Sequence, residues 1–70
     1  MNCLVVLKNG DTVQVENFLC VEAPKSTGEI KTFEKGDLES LQIVDSLTYT
    51  IIGGTILKIK GEQILYLHFK

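Results

Sequence analysis

Apolar and polar residues alternate along most of the chain with a period of two, and short clusters of Gly, Asn, Asp or Ser break the alternation every few residues. This is the pattern of β-strands joined by tight turns. Asn9-Gly10 lies between two apolar runs and predicts a two-residue hairpin loop. That loop sets Leu7 opposite Thr12, Val6 opposite Val13, Val5 opposite Gln14 and Leu4 opposite Val15. Leu4, Val6, Val13 and Val15 then share a dry face, and Lys8 meets Asp11 beside the turn as a cross-strand ion pair.

Glu16-Asn17 marks a kink. Phe18–Glu22 and Glu29–Phe33 predict a second hairpin around the turn-rich residues 23–28, which hold Pro24. Asp37 is placed to cap a single helical turn over 38–40, and no segment keeps a 3.6-residue apolar period long enough for a longer helix. Leu41–Asp45 reads as a short strand with Leu41 and Ile43 inward. Leu47–Ile52, Thr55–Lys60 and Gln63–Phe69 read as a closing meander rich in strand-favouring side chains. A two-residue Gly53-Gly54 loop, with glycine at positive φ, sets Ile51 opposite Ile56 and Thr50 opposite Leu57. The last strand is apolar on both sides: Leu65, Leu67 and Phe69 on one, Ile64 and Tyr66 on the other. A strand covered on both faces has this composition, whether the cover is its own chain or another copy.

These elements predict one all-β domain over residues 1–70: a small SH3-like barrel or rolled antiparallel sheet of roughly five to seven short strands, with an OB-like barrel as the alternative. The run Val5-Val6-Leu7-Lys8-Asn9-Gly10-Asp11-Thr12-Val13 resembles the first hairpin of small SH3-like and Sm-like barrels. The resemblance implies a fold and no activity, and the glycine pattern of Sm proteins is missing.

Composition narrows the function. A hydrophobic fraction of 44% in 70 residues excludes a disordered chain. The net charge is −2, from nine acids and seven basic residues that are all lysine. Without Arg, bidentate phosphate or guanine recognition is missing, which disfavours a nucleic-acid binder. Residues 16–45 hold seven of the acids (Glu16, Glu22, Glu29, Glu34, Asp37, Glu39 and Asp45), whereas Lys58, Lys60 and Lys70 make the last third mildly basic. Cys3 and Cys20 are too few for a disulfide scaffold, and the sequence leaves open whether they are bridged. No apolar run approaches the length of a membrane helix and no secretory leader opens the chain, so the expected location is the cytoplasm.

Candidate chemistry is sparse. His68 is the one histidine, and Cys3, Cys20, Ser26, Ser40 and Ser46 stand in no nucleophile signature, so no enzyme is expected. The spacing of His, Cys and acids matches no zinc or calcium site, and no cofactor is expected. Two surfaces remain. Phe18, Pro24 and Phe33, flanked by Glu34, Asp37 and Glu39, offer a shallow site for a protein partner. Tyr49 beside Lys58 and Lys60 offers a small basic–aromatic patch for single-stranded nucleic acid. The leading expectation is a non-enzymatic protein-interaction module, of the kind a phage or mobile element uses as an accessory or inhibitor. The alternatives are a nucleic-acid-binding barrel and a structural homo-oligomer, such as a homodimer formed through the C-terminal strand.

Overall fold

The computed structural model describes all residues from Met1 to Lys70. The strands are β1 (Cys3–Leu7), β2 (Thr12–Val15), β3 (Cys20–Pro24), β4 (Ile30–Phe33), β5 (Thr48–Ile52), β6 (Ile56–Lys60) and β7 (Ile64–Phe69). A 3-10 turn, Lys35–Ser40, follows β4, and a second, Gly61–Gln63, precedes β7. All strand pairs are antiparallel, in two sheets of order β2-β1-β7 and β4-β3-β5-β6. The all-β expectation and the strand number hold, with no α-helix. The closing meander ends at β6, because β7 crosses to pair with β1.

The first hairpin forms one residue out of the expected register. Its loop is three residues, Lys8-Asn9-Gly10, so Val5 faces Val13 and Cys3 faces Val15. The Gly10 N–H donates to the Leu7 carbonyl at 3.0 Å and the Leu7 N–H to that of Asp11 at 2.8 Å. The Asn9 side-chain oxygen accepts the Asp11 N–H at 2.9 Å, and Gly10 takes φ 96°. A type I turn closed by a left-handed glycine has this geometry. The slip turns β1 over: Cys3 and Val5 are buried, and Leu4 and Val6 face outward, half-buried. Lys8 lies in the loop, and Leu7 takes the place opposite Asp11.

The β3–β4 hairpin repeats the device. Lys25 donates to the Glu29 carbonyl at 2.7 Å, the Gly28 N–H donates to the Lys25 carbonyl at 3.0 Å, and Gly28 has φ 88°. Pro24 thus ends a strand instead of opening a loop. The β5–β6 loop is also three residues, Gly53-Gly54-Thr55, which sets Ile51 opposite Leu57 and Thr50 opposite Lys58. Neither glycine has positive φ. Gly53 is required for room: a Cβ there would lie 2.6 Å from the Glu16 carbonyl oxygen, on the kink where Asn17 takes φ 53°.

Leu41–Asp45 is no strand. Its backbone is satisfied from beneath: the Tyr49 hydroxyl accepts the Val44 N–H at 2.7 Å and donates to the Gln42 carbonyl at 2.8 Å. The Gly61 N–H donates to Leu47 at 2.7 Å and the Glu62 N–H to Asp45 at 3.1 Å. The core lies between the inner faces of the two sheets: Cys3, Val5 and Val15 from one, Val21, Ala23, Phe33, Tyr49, Ile51 and Ile59 from the other, closed by Phe18 and Ile64. Leu38, Leu41 and Ile43 pack against it half-buried, so the inward placement of Leu41 and Ile43 holds although the strand does not.

Candidate functional site

The structure scatters the first candidate surface. Phe18 is 1% exposed and stacks edge-on against Phe69 with ring centroids 5.0 Å apart. Phe33 is buried too, with the Lys31 ammonium 4.9 Å over its ring. Pro24 and Phe33 line one shallow depression with Lys25, Lys31 and Gln42, whereas Phe18 and Glu34 line another. Glu34 opens the first 3-10 turn: its N–H donates to the Asp37 carboxylate at 3.1 Å, and its main-chain carbonyl accepts the Asp37 N–H at 2.9 Å. Asp37 is therefore the third residue of the turn and not its cap. Glu39 is exposed.

The second surface loses its aromatic ring. The one-residue shift in the β5–β6 register pairs Tyr49 with Ile59, so Tyr49 points into the core at 1% exposure. Lys58 and Lys60 stand on the opposite face, opposite Thr50 and Thr48. Lys60 makes the one ion pair of the fold, 3.8 Å from Glu62.

The two thiols are free. Burial pushes Cys3 up to about 11. Cys20 is raised as well, by burial and by the charges of Glu22 and Glu34. Both shifts oppose thiolate formation, the reverse of what a nucleophile needs. No three His, Cys, Asp or Glu side chains gather into a group that could hold a metal. No helix is long and apolar enough to cross a membrane.

What the structure does assemble is a groove along β7. Leu38, Leu41 and Ile43 form one wall, and Leu65, Tyr66, Leu67 and Phe69 form the other. The space between them is about 410 Å³, and all seven lining residues are hydrophobic. Leu65 and Tyr66 are 60% and 52% exposed, although both sit in a strand. The far wall is held by the Tyr49 hydroxyl and by Gly61, where a Cβ would collide with the Val44 carbonyl.

The groove runs beside an open sheet edge. β7 is the outer strand of its sheet. Asn2 and Lys70 exchange two hydrogen bonds of 2.9 Å, and Leu4–His68 and Val6–Tyr66 follow as the alternate pairs that bond across the ladder. The N–H and C=O groups of Leu67 and Phe69 therefore point away from β1. No hydrogen bond outside the ladders involves them.

The other edges are guarded. β2 and β4 are four residues each, and β6 carries Lys58 and Lys60. Short strands and lysines are the usual defence of a free edge against pairing with another chain. β7 is six residues long and carries no lysine between Ile64 and Phe69; its one irregularity is a bulge at Leu65, where the register against β1 shifts. Sequence reasoning named its apolar residues but not the wall of Leu38, Leu41 and Ile43, because that wall depends on β7 crossing to β1.

No family model, curated protein or solved structure matches the chain.

Proposed function

We propose that this chain is a non-enzymatic protein-interaction module that takes up an extended segment of a partner by strand addition along β7. The observation that carries the reading is the lysine-free outer strand β7 beside an apolar groove. Main-chain groups of Leu67 and Phe69 would supply sequence-independent hydrogen bonds, and the groove would select for apolar side chains at alternate positions of the incoming strand. The raised thiols and the scattered acids favour no chemistry that competes with binding.

We take the two sheets as halves of a small SH3-like barrel; the return of β7 to β1 after a 3-10 turn supports this. The setting we propose is an accessory or inhibitor protein of a phage or mobile element, supported by the short, acidic, lysine-only composition. The nucleic-acid reading gains no support, since Tyr49 has left its patch.

The test is titration of 15N-labelled protein with a capped peptide of alternating leucine and threonine. Shifts confined to residues 38–43 and 64–70 support the reading. Shifts centred on the Pro24 depression, or no shifts at all, would sink it.

A further inference from the structure

A second space lies on the other side of the segment that walls the β7 groove. Leu41 and Ile43 line the groove, whereas Gln42 and Val44 line the depression beside Pro24, of about 220 Å³. Its floor is apolar: Ala23, Phe33 and Tyr49 line it, and all three are buried. Its rim is cationic. Lys25 and Lys31 both line it, and no Asp or Glu does.

Those two lysines run against the charge of their surroundings. Seven of the nine acids fall in residues 16–45, yet neither Lys25 nor Lys31 is in an ion pair; the one ion pair of the fold joins Lys60 to Glu62. Register explains the place of Lys31. It stands opposite Ala23 and two residues before Phe33, so it projects on the inner face of its sheet. Its ammonium lies 4.9 Å over the Phe33 ring. The ring attracts the cation and holds it over the apolar floor. Gln42 adds a side-chain amide, since its hydrogen bond to Tyr49 uses the main-chain carbonyl.

We propose that this depression binds the C-terminal carboxylate of a partner chain whose last residue is apolar. Two unpaired ammonium groups call for an anion, and the floor calls for a hydrophobic body beside it. An apolar residue at a chain end carries both. An Asp or Glu side chain carries its carboxylate on a short stem with no such body. The volume suits one residue, being below the roughly 300–1,000 Å³ of pockets that enclose drug-sized ligands. The inference goes beyond strand addition at β7. The two sites share no lining residue, so each can fail without the other.

Titration of 15N-labelled protein with N-acetyl-leucine and with N-acetyl-leucinamide tests the site. The two probes have the same side chain and differ in the negative charge. N-acetyl-leucine is expected to shift the Lys25, Lys31, Phe33 and Gln42 amides saturably, and the neutral amide to bind several-fold more weakly. Lys25 and Lys31 are exposed, so Lys25→Gln and Lys31→Gln are expected to stay folded. Each is expected to weaken N-acetyl-leucine roughly 1.5- to 5-fold, the range of one exposed ion pair.

Equal binding of the two probes, or binding unchanged in the double lysine variant, overturns the carboxylate site. Shifts confined to residues 64–70, or none, overturn it as well. A capped aspartate amide that binds as tightly as N-acetyl-leucine overturns the assignment to a chain end. None of these outcomes bears on the leucine–threonine peptide, which is capped and carries no carboxylate.

Discussion

Tyr49 is the side chain on which the groove depends most. Buried from β5, it spends both hydrogen-bonding functions of its hydroxyl on the Gln42–Val44 backbone. Without it, the part-buried Val44 N–H and Gln42 C=O lose their partner, at a cost of about 0.5–1.5 kcal/mol. Tyr49→Phe is expected to lower stability by that amount in urea unfolding and to loosen the wall formed by Leu41 and Ile43. Gly61→Ala is expected to act in the same direction, because its Cβ displaces the Val44 carbonyl. Cys3 contributes at another level. Its pKa, raised from 9.0 to about 11, means that the folded state holds its proton where the unfolded state has lost it. The resulting stability is present below pH 9 and falls away as pH rises towards 11. Chemical denaturation across that window should show the decline, and Cys3→Ala should flatten the part of it due to this thiol. In the native protein, the partly exposed Cys20 is expected to react with iodoacetamide before Cys3.

At the scale of elements, two hairpins use one turn: a three-residue loop closed by a glycine at positive φ, at Gly10 and at Gly28. An alanine at Gly10 has room but the wrong backbone preference, so Gly10→Ala is expected to destabilise by about 1–2 kcal/mol. The turn also explains where the sequence was legible. Strand identity and approximate position follow from alternation and turn residues, so nearly every strand falls within a few residues of its expected place. Register does not follow, because Asn9-Gly10 fits a two-residue loop as well as the last two residues of a three-residue loop. That one-residue difference buries Cys3 and Val5 in place of Leu4 and Val6. At β5–β6 it sends Tyr49 into the core, away from Lys58 and Lys60. The groove was half legible. Leu65, Leu67 and Phe69 stood out as an apolar row, but the wall they face is set by long-range crossing, and no local pattern encodes that.

Three of the molecule's sheet edges are short or carry lysines, and the fourth, β7, carries only the bulge at Leu65. The functional reading follows from that asymmetry more than from any single residue. Association at β7 would couple binding to folding, since anything that binds only the native state stabilises it by mass action. The thermal midpoint is therefore expected to rise with the concentration of the leucine–threonine peptide. The central claim is that the β7 edge is the binding surface, and hydrogen exchange at the Leu67 and Phe69 amides tests it most directly. In dilute protein both amides are expected to exchange quickly while Leu4 and Val6 are protected by the ladder. Saturating leucine–threonine peptide is expected to slow Leu67 and Phe69 together and leave Leu4 and Val6 unchanged. Amides of Leu67 and Phe69 that are already protected in the dilute monomer, or that stay fast under saturating peptide, would contradict it.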